Sequence, residues 1–229
     1  MRLFICGSFS LAMILLLMAS LPALAIPTIT CHCFSERSYD PARPAAADQY
    51  FLAMAQNAFF AGVFAVDKKT IIIKKQTGTS ADDLWVAYRI AAESGVAAEE
   101  LLQARTARGS WGETVASLSI PAKVLGAEFS SALHARLPDA RLAEIVVNEL
   151  FAEYRLLAAS DVAALRKSGA TNQELILAGI IARRTKTQAP RIYGEAKSGV
   201  RSWGALLQEA RIEPAEMSKE VSALLKIRR

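Results

Sequence analysis

Apolar residues along this chain fall into three arrangements, and each predicts a different element. The first is a continuous run in which Leu11, Ile14, Leu15, Leu16 and Leu17 stand behind Arg2 and ahead of Pro22. The second is an uncharged stretch over residues 50–66, interrupted by Gln56 and Asn57 and followed by Lys68 and Lys69. It is shorter than the roughly 20 residues that span a bilayer, so a buried helix is expected there and not a second membrane span. The third begins at Ser80, beyond which apolar positions recur every three or four residues, the period of an amphipathic helix. Between the second and third lies Thr70-Ile71-Ile72-Ile73, flanked by lysine pairs. This β-branched run reads either as a short strand or as an irregular helix start.

Turn chemistry marks the helix boundaries in the third region. Ser80 with Asp83 has capping-box spacing, Leu84, Tyr88 and Ala91 share a face, and Gly95 suits a left-handed C-cap. A short helix is expected over 97–108, before Gly109. Ser110 and Glu113 repeat the capping-box spacing around Trp111, and Pro121 suits the first position of a further helix. Residues 140–159 read as one long helix with Val146, Val147, Leu150, Tyr154 and Leu157 along its apolar stripe.

The order of these signals recurs. Ser94-Gly95-Val96-Ala97-Ala98-Glu99-Glu100-Leu101-Leu102 aligns without a gap on Ser168-Gly169-Ala170-Thr171-Asn172-Gln173-Glu174-Leu175-Ile176, and Ser110-Trp111-Gly112 on Ser202-Trp203-Gly204. Each tryptophan is followed nine residues later by Ile120 or Ile212, and soon after by Pro121 or Pro214. The second copy carries 18 additional residues between its two blocks. Duplication is the expected origin, and two copies do not call for a solenoid. In the repeated Ser-Trp-Gly, serine is expected to cap, tryptophan to anchor a small core and glycine to permit close packing. The resulting division is a presequence over 1–25, an N-terminal region over 26–79, a first helical unit over 80–135, a bridging helix over 136–160 and a second unit over 161–229.

Composition agrees with an all-α multi-helix fold, since alanine and leucine dominate and aromatic residues make up 7% of the chain. The first arrangement, closed by Ala23-Leu24-Ala25, has the layout of a cleavable signal peptide; an uncleaved anchor is the alternative. Cys6 precedes the apolar run, so a lipoprotein signal is not expected. The expected location is therefore exported, periplasmic or secreted. Short helices joined at glycine turns give a loose helix-turn-helix outline, but export removes the genome as a partner, and no nucleic acid is expected.

Charge and cysteine add the candidate chemistry. Of a formal net charge of +5, much falls on Arg183, Arg184, Lys186, Arg191, Lys197 and Arg201, relieved there only by Glu195. Such a patch meets an anionic envelope component or a protein partner, or is a solvated loop. Beyond the presequence, Cys31 and Cys33 flank His32. They can form a structural disulfide within or between chains, hold a soft metal such as Cu(I) or Zn(II), or act as redox thiols. The spacing is neither that of haem attachment nor that of a thioredoxin motif. His134 is the only other histidine, and no nucleophile elbow, phosphate loop or zinc-protease motif occurs. The expectation is a non-catalytic helical binding or scaffolding protein of the periplasm or cell envelope, with no resident cofactor. A metal-binding or thiol-redox protein built on Cys31-His32-Cys33 is the alternative.

Overall fold

The uncharged run with Phe59 at its centre becomes the helix around which the others pack. In the computed structural model, which describes residues 34–226, this is α1 (Asp48–Phe64), with Phe51, Leu52, Ala55, Phe59 and Phe60 all buried. The proposed presequence and Cys31-His32-Cys33 lie outside the described residues. Every regular element among the described residues is helical, and no helix among them is long and apolar enough to cross a membrane.

The isoleucine run is corrected from a possible strand to a helix, α2 (Lys68–Gln76). Asp67 Oδ1 accepts from the backbone N–H of Lys69 at 2.8 Å, capping the helix start, and Ile71 and Lys75 then share the buried face one turn apart. The strand preference of β-branched residues spans only about 1 kcal/mol, and a cap together with burial of one face outweighs it. A lone strand would also leave its backbone groups unpaired, whereas the helix satisfies them within the segment.

From Ser80 the chain forms α3 (Ala81–Ser94), α4 (Ala98–Arg108), α5 (Trp111–Ser117), α6 (Ala127–His134) and α7 (Asp139–Glu153). It continues through α8 (Ala159–Lys167), α9 (Asn172–Thr185), α10 (Ala189–Lys197), α11 (Trp203–Glu209) and α12 (Met217–Lys226). The predicted caps are in place. Ser80, Ser110 and Ser202 each accept a backbone N–H from three residues ahead, and Thr171 with Glu174 completes a reciprocal capping box. Gly95 and Gly109 close α3 and α4 at φ 76° and 82°.

Two predicted boundaries move. Pro121 does not start an α-helix; it precedes a one-turn 3-10 segment, Ala122–Val124, and α6 begins later. The expected helix over 140–159 stops at Glu153, because Arg155 takes a left-handed φ of 49° and the N–H of Leu156 closes back on Phe151 O at 3.0 Å; α8 starts only at Ala159. Leu156 and Leu157 therefore reach the core from a turn.

α1 lies between the two halves of this series. On one side Phe60 and Phe59 meet Trp85 of α3 at ring-centroid distances of 4.6 and 6.2 Å, and Phe59 meets Phe151 of α7 at 5.6 Å. On the other side α1 packs on α9 and α12. A Cβ at Gly62 would come within 2.8 Å of Leu225, so glycine sets the approach of α1 to α12. The apolar side chains join in one contiguous core that runs from Ala47 to Val221.

Candidate functional site

The basic insertion folds as a helical hairpin. α9 ends at Thr185, Lys186 turns the chain at φ 57°, and α10 packs back along α9, with Tyr193 of α10 donating to Ser168 O at the end of α8 at 3.1 Å. Its six cations divide into groups. Arg184 pairs with Glu220 at 4.0 Å, Arg191 with Glu195 at 3.0 Å, and Arg201 with Glu195 and Glu209. Arg183, Lys186 and Lys197 are exposed and carry no ion pair among the described residues. Arg183, Arg184 and Lys186 stay together at the end of α9. Lys197 stands at the far end of α10, roughly 12 Å along the helix axis from its start. The structure thus keeps Arg183, Arg184 and Lys186 together, Arg184 paired with Glu220, pairs Arg191 and Arg201 elsewhere in the fold, and leaves Lys197 apart.

A second feature lies among α5, α6 and the start of α7. A cavity of about 480 Å³ opens there, with buried Trp111, Ile120, Leu125, Leu133 and Leu142 as its floor and Glu113, His134, Arg136 and Asp139 at its rim. Trp111 is held in place: its Nε1 donates to Asp83 Oδ1 at 3.0 Å, and the Arg105 guanidinium lies 5.8 Å from its ring centroid. Arg105 also pairs with Asp139 at 2.6 Å and with Asp83 at 3.4 Å, tying the starts of α3 and α7 together. Next to this group the Asp82 carboxyl is pushed above its usual range by burial and by Asp83, Asp139 and Glu144, against the pull of Lys75. His134 Nδ1 lies 3.0 Å from Ser130 O. A carbonyl only accepts, so that nitrogen carries the proton and Nε2 is the free ring nitrogen.

A third feature is a buried polar chain across α1, α2 and α9. Lys75 Nζ donates to Asn57 Oδ1 at 2.7 Å and to Gln56 Oε1 at 3.5 Å, and Gln173 Nε2 donates to the same Gln56 oxygen at 2.8 Å. Burial lowers the lysine to about 8, partly offset by Asp82. An amine surrounded by amide oxygens gains hydrogen bonds but little of the charge compensation that a contacting carboxylate would supply.

Among the described residues no group of three histidine, cysteine, aspartate or glutamate side chains is placed to hold a metal ion. The proposed metal or disulfide residues, Cys31, His32 and Cys33, lie outside those residues. Sequence reasoning missed both the Trp111 cavity and the buried lysine. Gln56 and Asn57 inside an uncharged run were a signal for the latter, because buried amides require a polar partner. The cavity had no such signal, since each residue of its floor reads as an ordinary core residue, on α5, α6, α7 or the segment joining α5 to α6. Comparison with protein families, with curated proteins and with solved structures finds no match to the chain.

Proposed function

We propose that the chain is an exported, non-catalytic helical binding protein of the cell envelope, docking on an anionic component through the end of α9. The observation that supports this reading is the exposure of Arg183 and Lys186 side by side, without a carboxylate partner among the described residues. Cations left unpaired at a helix C-terminus also gain from the helix dipole, so their presence there is favourable before any ligand binds. The attraction is that of exposed charges, and therefore strongly screened by salt.

Two helical units derived from a duplication belong to the same proposal. Matching positions share local geometry: Gly95 and Gly169 are both left-handed, at φ 76° and 85°, and Ser110 and Ser202 both cap the helix that starts at tryptophan. Nine residues after each tryptophan, the N–H of Ile120 or Ile212 bonds the carbonyl five residues back. The insertion with the basic hairpin is then the part that distinguishes the second unit, and a surface added to an older scaffold is a reasonable place for its binding function.

The test is sedimentation with phosphatidylglycerol vesicles at about 50 and about 300 mM salt. Binding is expected at the lower salt, weakened at the higher, and reduced about tenfold or more when Arg183, Arg184 and Lys186 are changed to glutamine. Lys197→Gln alone is expected to have a smaller effect. If the triple variant binds like the original protein, the α9 end is only a solvated surface.

A further inference from the structure

We propose that the cavity beside Trp111 binds a single-chain amphipathic carboxylate, its chain on the apolar floor and its headgroup at Arg136. This site is separate from the α9 surface and does not depend on the docking reading.

The first argument is size and lining. About 480 Å³ lies within the roughly 300–1,000 Å³ of small-molecule sites, and such sites are mostly apolar with a few polar groups at one side. Here the floor is fully apolar. Leu137, at the rim, is 37% exposed, one of few large apolar side chains left open among the described residues. An apolar chain leaving the floor along Leu137 buries surface that the fold itself leaves in water.

The second argument is the distribution of charge around the rim. Of the two carboxylates, Asp139 is already held by Arg105 at 2.6 Å. Arg136 has no acid partner among the described residues, and its backbone is fixed by a left-handed turn at φ 52° whose N–H bonds Leu133 O at 3.0 Å. His134, two residues earlier, has Nδ1 engaged with Ser130 O and Nε2 free. In that tautomer Nε2 only accepts and gives an anion no donor, so the unpaired Arg136 guanidinium, whose forked N–H groups match the two oxygens of a carboxylate, is the headgroup site. Glu113 stands on the α5 side of the rim, also without an ion pair among the described residues. It repels an anion on that side and so directs the headgroup toward Arg136.

The test uses decanoate, decanol and decyltrimethylammonium as probes with one chain length, titrated into the protein below their micelle concentrations. Calorimetry gives affinity, and tryptophan fluorescence reports on the Trp111 wall. Decanoate is expected to bind more tightly than the other two. Arg136→Gln should weaken decanoate about tenfold, and Glu113→Gln should tighten it. Ala116→Phe, which fills the cavity from an exposed position, should abolish binding without lowering the melting temperature. Should that variant lose its fold, Arg136→Gln, on an exposed side chain, still decides the matter. Absence of decanoate binding, equal binding of the alcohol or the cation, or an affinity indifferent to Arg136→Gln would each overturn the proposal.

Discussion

At position 75 a lysine occupies a place that the helix period assigns to an apolar side chain, one turn after fully buried Ile71. The pattern Lys-Lys-Gln at the end of α2 reads as a solvated terminus, and nothing within a turn of Lys75 reveals that Asn57 and Gln56 receive its ammonium. The consequence is a pH dependence with a defined sign. Lysine is lowered to about 8 in the fold and returns to its ordinary value near 10.5 on unfolding. Between those values the unfolded chain holds a proton that the folded chain has released, so stability rises with pH across that window and is level below it. The full effect is about 3 kcal/mol in order of magnitude. Denaturant unfolding of the protein and of Lys75→Met, at about pH 7.5 and about pH 10, measures it. The unsubstituted protein should gain on the variant as pH rises, and parallel pH profiles would show that Lys75 titrates alike in both states.

At the scale of elements, the two Ser-Trp-Gly helices were legible as a pair, yet their glycines face different surroundings. A Cβ at Gly204 would meet Tyr39 at 2.7 Å and Phe51 at 2.9 Å, both well inside contact distance. A Cβ at Gly112 would meet only Leu133 O at 3.5 Å, an ordinary contact. The N-terminal segment accounts for the difference, because it lays Tyr39 on α11 while Asp48 accepts the N–H groups of Trp203 and Gly204 at 3.1 and 3.0 Å. Gly204→Ala should therefore destabilise by about 1–3 kcal/mol through overpacking, and Gly112→Ala should stay within about 0.5 kcal/mol of the original. Thermal melts of the two variants compare them directly; equal losses would contradict the packing argument. Helix ends show the limits of reading at this scale. Gly95 and Gly109 announced theirs, whereas Ala65, Ser119, Arg136, Arg155 and Arg211 adopt left-handed φ without being glycine. Each is followed by an apolar residue (Val66, Ile120, Leu137, Leu156 or Ile212) whose N–H bonds the carbonyl five back, as in a Schellman closure. That hydrogen bond, and for most of these residues the packing of their side chains, offsets the roughly 1–2 kcal/mol of left-handed strain.

For the whole molecule the decisive placement is that of α1, whose aromatic side faces α3 and α7 while its other side faces α9 and α12. Both halves thus share one core, and they should unfold together. Circular dichroism and tryptophan fluorescence are expected to report one coincident transition, and Phe59→Ala, which removes contacts with Trp85 and Phe151, should lower it by about 3–5 kcal/mol. Two separated transitions would show that the halves fold independently. The sequence alone determined that the chain after Ser80 is helical, where its serine, threonine and glycine caps fall, and that residues 50–66 form a buried helix, because capping and periodicity act within a turn or two. Only the tertiary structure decided that Thr70-Ile71-Ile72-Ile73 is helical, that Lys75 is buried, that the basic cluster divides, and that a cavity opens beside Trp111. Those outcomes rest on contacts between distant residues, such as Gln56 with Gln173, 117 positions apart, and Asp48 with Trp203, 155 apart. Local propensity carries no information about such distant partners, and the shape left between packed helices is a property of the assembly.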